Sequence, residues 1–405
     1  MNLSDVDATA AGFSRERLER ITPHLETRYV TPGKIAGCQV AVARHGQLAY
    51  FRNFGHRDRE RQLPITDDTI FRIYSMSKPI TSIALMQLYE QGHFQLNDPV
   101  HRVIPSWRDQ QVYVSGDGEN MVLEPVRQPM TFRHVLSHMT GLSYGATKHP
   151  IDKRYRAEQV TREQGETLES FVNKLARVPL YFQPGEQWLY SYATDVCGHL
   201  VEALSGQPLD AYFDEHIFEP LAMTDTAFHV SEDKQDRLAA NYQRGPDKTL
   251  KLLDDPTTSS YLSKPTFLSG GGGLTGTTAD YLKFCEMLRK RGQGPNGRII
   301  GSRTLDLMTR NHLPNGDLST MAMGAFSETA YDGVGFGLGF AMSLDEVAAG
   351  GLGQGDFYWG GAASTIFWVD PVEDLEVVFM TQLMPSATFN FRGQLKNIIY
   401  SALED

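Results

Sequence analysis

One stretch of the chain is apolar on nearly every face. Beyond its first turn, residues 75–91 read Ile80, Ile83, Ala84, Leu85, Met86, Leu88 and Tyr89, with only Thr81, Ser82 and Gln87 for polarity. The helix this predicts has no solvent face and belongs inside the protein. Gly92 follows as a left-handed stop, and Pro79 is tolerated because first-turn N–H groups have no intrahelical partner. An extended run, residues 69–74, leads into it. Upstream, residues 14–29 carry Leu18, Ile21 and Leu25 on one stripe and predict an amphipathic helix capped by Ser14. Two strand-like runs, 36–43 and 48–53, meet at His45-Gly46 as a hairpin.

Downstream, Val112-Tyr113-Val114 broken at Ser115-Gly116-Asp117-Gly118 predicts a surface hairpin. Thr131 caps a helix with Phe132, Val135, Leu136 and Met139 as its apolar stripe and Gly141 as its end. Further helices are predicted over 168–177, 195–204 with Gly206 as stop, 209–217 and 278–291. From about residue 335 the texture changes to strands, 335–343, 365–369 and 375–381, before a last helix over 394–403. Strands at both ends with helices between them predict an α+β fold, one antiparallel sheet assembled from both termini with a mostly helical lobe inserted. The expected division is 1–70 with 295–405 as the sheet lobe and 71–294 as the helical lobe, with the site between them.

Composition narrows the function classes. A chain of 405 residues can bury a large core. A formal charge of −11 argues against nucleic acid or an anionic membrane as partner. The first residues, Met1-Asn2-Leu3-Ser4-Asp5, have neither a basic nor an apolar region, and no stretch is long enough to span a bilayer, so a cytoplasmic protein is expected. Cys38, Cys197 and Cys285 have apolar neighbours and read as reduced core residues rather than a disulfide framework.

Chemistry enters at the mouth of the apolar helix. Ser75 and Lys78 lie one turn apart on the same face. Burial and the positive helix end both disfavour a charged Lys78, so it must lose its proton readily or be surrounded by acceptors. Free N–H groups at that helix end suit a developing oxyanion. Three similar patterns carry less. Ser231-Glu232-Asp233-Lys234 repeats the spacing in a wholly polar stretch and reads as a capping turn. His134 and His138 have the spacing of a zinc pair, but Val135 stands where a metalloprotease has glutamate and no third ligand suggests itself, so a solvated or hydrogen-bonded face is expected. Gly141-Leu142-Ser143-Tyr144-Gly145 fits a nucleophile elbow, yet a helix rather than a strand precedes it, making Ser143 a loop serine.

Ser75-Met76-Ser77-Lys78, Tyr190-Ser191-Tyr192 and Tyr358-Trp359-Gly360-Gly361-Ala362, taken in order, resemble the serine β-lactamase and penicillin-binding protein superfamily. Within it the chain is most similar to the family VIII carboxylesterases, which look like class C β-lactamases. The resemblance implies that Ser75 is the acylated nucleophile, that Lys78 and Tyr190 form the base pair, and that the backbone N–H groups of Ser75 and Ala362 form the oxyanion hole. A phenol of pKa about 10 can act as a base only if a cation depresses it, which Lys78 can do. Tyr144, Tyr192, Trp359, Gly360 and Gly361 are the expected substrate pocket.

Two departures from the family pattern matter. Tyr192 stands where the family has asparagine, and Trp359-Gly360-Gly361 replaces Lys-Thr-Gly, as in the family VIII esterases. An aromatic wall in place of a charge suits a neutral acyl or alcohol group. The implied activity is hydrolysis of short-chain esters without metal or organic cofactor, the partner being a small-molecule ester. β-Lactamase or D-alanyl peptidase activity, acyl transfer to an alcohol, and a catalytically silent binding protein remain as alternatives. The natural ester and the oligomeric state are not legible.

Overall fold

A computed structural model of the chain describes residues 3–162, 164–323 and 330–404. Its strands β1 (Gly37–Arg44), β2 (Gln47–Asp58), β3 (Leu63–Pro64), β4 (Val334–Phe336), β5 (Ala341–Ser343), β6 (Phe357–Gly360), β7 (Ile366–Asp370) and β8 (Leu375–Thr381) form one sheet. The spatial order is β4-β5-β6-β7-β8-β1-β2-β3, antiparallel throughout. The two ends of the chain meet where β1 pairs with β8, from Cys38 opposite Thr381 to Arg44 opposite Leu375. Every residue of β1 and β8 is buried, as a strand covered on both faces requires.

Four helices position the rest: α1 (Ser77–Glu90), α2 (Ala193–Ser205), α3 (Thr278–Arg289) and α4 (Phe391–Tyr400). Helix α3 sets Tyr281 against Phe367 of β7 at 5.0 Å between ring centroids, and α4 sets Phe391 against Phe379 of β8 at 4.8 Å. Phe367 pairs with Val378, so Phe379 points the other way and the two helices cover opposite faces. Helix α1 is buried from Ser77 to Leu88 and lies along α2. All three cysteines are buried and unpaired. No described helix is long and apolar enough to cross a membrane.

Several elements differ from the pattern reading. The N-terminal helix breaks into turns at Arg15–Leu18, Ile21–Leu25 and Glu26–Val30; Ser14 makes no side-chain cap, its N–H instead donating to the carbonyl of Ala402. The run over 335–343 is two strands, because the chain reverses through Gly337-Leu338-Gly339-Phe340 with Gly339 at φ +95°. The helix capped by Thr131 ends at Leu136, five residues before Gly141, because His138 already adopts φ +57°. The run over 209–217 is helical only to Phe213 and widens into a π turn, Asp214–Phe218.

A buried ionic cluster ties α3 to the sheet centre. Nε of Arg289 lies 2.9 Å from the fully buried Glu376 of β8, while Nη2 meets Glu286 at 2.9 Å and Nη1 meets Asp374 at 2.5 Å. Burial raises Glu286, but its hydrogen bond with Glu376, and then Lys290 and Arg289, outweigh that and hold it at about 2 against an ordinary 4.5. Arg289→Leu strands these carboxylates and is expected to cost about 3–5 kcal/mol in denaturant unfolding. The share of that difference carried by the depressed Glu286 is complete above pH 4.5 and should shrink as pH falls toward about 2, whereas burial holds Glu376 well above its ordinary value.

Candidate active site

The site is built at the turn before α1. Phe71–Arg72 pairs with Thr275–Gly276, and Ile73 N–H donates to the carbonyl of Leu274. Tyr74 then takes φ +43°, a strained value for a bulky residue, and opens a 3-10 turn, Tyr74–Met76. Tertiary bonds hold that turn. Tyr281 OH donates to the carbonyl of Met76 at 2.9 Å, and Ser77 Oγ accepts from Leu274 N–H at 3.2 Å. Ser75 therefore sits in this turn rather than in the α-helix proper, which begins at Ser77.

Lys78 Nζ lies 3.1 Å from Ser75 Oγ and 2.5 Å from the carbonyl of Gly271. Burial pulls its pKa down to about 7; the carboxylate of Asp195 opposes this and the guanidinium of Arg162 assists it. Asp195, also fully buried, accepts from Ser269 Oγ at 2.5 Å and from Gly271 N–H at 3.1 Å. A Cβ on Gly271 would stand 2.8 Å from Asp195 Oδ2, so glycine is what lets this strap close over Lys78. Neither Asp195 nor the strap was anticipated. The four successive glycines at 270–273 were the available signal.

Tyr190 is buried behind Ser75, its ring centroid 4.6 Å from Lys78 Nζ. Its hydroxyl oxygen accepts a 3.1 Å hydrogen bond from Trp359 Nε1. His138 packs at 4.9 Å from the same ring, and burial, with the nearby Lys78, pulls its pKa well below the ordinary value. Ala362 follows β6, where Gly361 lies so close to the segment before Ser75 that a Cβ would come within 2.4 Å of the Ile73 carbonyl. Ser75, Tyr190 and Ala362 share one cavity of about 870 Å³, with walls that include Tyr74, Tyr144, Tyr192, Phe228, Tyr261 and Phe267.

The Beta-lactamase family model matches residues 23–398. The chain belongs to the beta-lactamase family. It is a serine hydrolase or acyltransferase of that family, of the kind similar to family VIII esterases. Over 358 residues it is 32% identical to "Protein Rv1367c" of Mycobacterium tuberculosis, covering 87% of each chain. It is 29% identical to "Esterase EstB" of Burkholderia gladioli, covering 94% of each. The solved structure of "EstCE1, a hydrolase with promiscuous acyltransferase activity" superposes with a TM-score of 0.79 at 28% identity, over 95% of this chain and 99% of that one.

In this beta-lactamase family member, the structure brings Ser75, Lys78, Tyr190, Ala362, Tyr144 and Tyr192 together. Trp359, Gly360 and Gly361 are not among the residues lining the cavity. Trp359 is 3% exposed and turns its N–H to Tyr190, so it is not the expected aromatic wall; tyrosines and phenylalanines from other segments form that wall. Of the other candidates, Ser143 donates to Asp152 at 2.5 Å in a loop and does not line the cavity. His134 accepts from Thr131 N–H as half of a capping box. His138 is not solvated: it is buried between Ser191 Oγ and Thr194 Oγ1, each at 3.4 Å. Among the described residues no cluster of three or more His, Cys, Asp or Glu could hold a metal.

The indole contact makes a prediction. A donor to the Tyr190 oxygen steadies negative charge that develops there. Trp359→Phe keeps an aromatic ring and removes the N–H, so kcat should fall about ten- to a hundredfold. A full kcat would remove Trp359 from the chemistry.

Proposed function

We propose that this protein hydrolyses short-chain carboxylic esters through an acyl-enzyme on Ser75. The observation carrying the reading is Ser75 Oγ at 3.1 Å from a buried lysine whose pKa is about 7, which leaves an unprotonated amine available near neutrality. Ser75 Oγ attacks the ester carbonyl carbon while its proton passes to the Lys78–Tyr190 pair. The tetrahedral oxyanion accepts hydrogen bonds from the N–H groups of Ser75 and Ala362. Collapse breaks the carbon–alkoxy bond, and the pair returns the proton to the departing alcohol. Water then repeats the sequence on the acyl-enzyme, releasing the acid and restoring Ser75.

The aromatic walls support an apolar acyl or alcohol group, and the volume leaves room for an alcohol in place of the hydrolytic water, which supports acyl transfer as a side reaction. The test is turnover of p-nitrophenyl esters of graded acyl length, with and without an added alcohol, and with nitrocefin alongside. Fastest turnover among the shorter acyl chains is expected. Nitrocefin turned over as fast as those esters would transfer the reading to a β-lactamase.

A further inference from the structure

The cavity holds a cation that the steps at Ser75 do not consume. Arg162 is the one charged side chain among the described residues lining it. It is exposed to solvent, yet its guanidinium lies beside the aromatic walls, with Cζ 5.1 Å from the Tyr192 ring centroid and 6.0 Å from that of Tyr144. Nη1 donates to Ser269 Oγ at a long 3.4 Å. Among the described residues no carboxylate forms an ion pair with it, whereas Arg61, Arg237 and Arg289 each meet two or more acids. The carboxylate that acts on Arg162 through space, Asp195, is held by Ser269 and Gly271.

The guanidinium lies beside these rings and uses N–H groups on the Tyr192 and Ser269 side chains, and with five N–H groups in a planar fork it retains others that can take a carboxylate. We propose that Arg162 is a specificity residue that binds a carboxylate on the substrate, so that the preferred esters of this enzyme carry a negative charge away from the scissile bond. The charge missing beside Tyr190, where Trp359 replaces lysine, is thus supplied from another wall of the same cavity. This rests on the reading of Ser75 as nucleophile.

Two ester pairs test it and tell which end of the substrate carries the charge. On the acyl side, 4-nitrophenyl hydrogen glutarate is compared with its methyl ester; on the alcohol side, 4-butyryloxybenzoate is compared with its methyl ester. In one pair the wild-type KM for the carboxylate form should be about tenfold or more below that for the methyl ester. Arg162→Gln should erase the preference and Arg162→Lys should keep part of it, since lysine retains charge but not the fork. Any change that Arg162→Gln causes in Lys78 acts on both members of a pair and cancels in their ratio. Equal KM values in both pairs, a preference for the methyl esters, or a preference that survives Arg162→Gln would overturn the proposal. Ser75→Ala separates the two readings. If it silences all four esters, the nucleophile stands whatever the KM ratios; if hydrolysis persists, the Ser75 reading fails instead.

Discussion

Ser75→Ala is expected to abolish covalent labelling by a fluorophosphonate and to lower kcat by roughly 10⁴-fold or more. Among the serines of the described residues, Ser75 is the one that lines the cavity with its Oγ 3.1 Å from Lys78 Nζ. Ser143, despite its Gly-x-Ser-x-Gly context, donates its proton to Asp152 at 2.5 Å and accepts from Gly145 N–H at 3.0 Å. Ser143→Ala should therefore lower stability by about 1–3 kcal/mol, by leaving Asp152 short of a donor, while the label remains in place. Peptide mapping decides the matter, and a label recovered on Ser143 would overturn the mechanism.

Lys78→Met and Tyr190→Phe should each cost about as much activity as the two together, because members of one proton-transfer unit are not additive. Losses that multiply would assign them separate tasks. With Lys78 at about 7, kcat/KM should climb through neutrality and level off above it. A profile flat from acid to alkaline pH would contradict a lysine base. The same depression makes stability rise with pH as well. The folded-state value lies below the ordinary 10.5, so the unfolded chain binds the extra proton between the two. The folding penalty of Lys78 is complete below pH about 7 and fades as pH rises toward 10.5. Lys78→Met should accordingly raise the Tm, relative to wild type, more at about pH 6 than at about pH 9, while activity is lost. A Tm change independent of pH would mean that the buried ammonium carries no such strain.

Elements buried on both sides were the most legible in the sequence. Helix α1 and strands β1 and β8 have no solvent face, so their apolar runs are broken by few polar residues, and the hairpin at His45-Gly46 has both residues at positive φ, as its turn chemistry implies. Strand β6 escaped because Trp359-Gly360-Gly361 carries no alternation, and 335–343 merged two strands because both are apolar. At the site, Ser75, Lys78 and Tyr190 were readable as a spacing and a motif. What could not be read was set by distant segments. The strained φ of Tyr74 is held by bonds from Leu274 and Tyr281, and the sequence shows that tryptophan replaces lysine but not where its N–H points. Arg162 lies in a polar run that looks like any solvated loop until the fold lays it on Tyr192.

The seam between β1 and β8 also governs when the protein can act during its own synthesis. Thr381 Oγ1 donates to the carbonyl of Gly37 across 344 residues of chain. At about 5–20 residues per second, a ribosome needs roughly 17–70 s to supply the second strand after the first. For most of that interval Ser75 and Lys78 already exist, but Trp359, Ala362 and strand β8 do not. The nascent chain carries Ser75 and Lys78 without the residues that complete the cavity, and an unpaired sheet edge that invites association with other chains. The exposed edge of β1 marks the period in which this chain has most need of a chaperone.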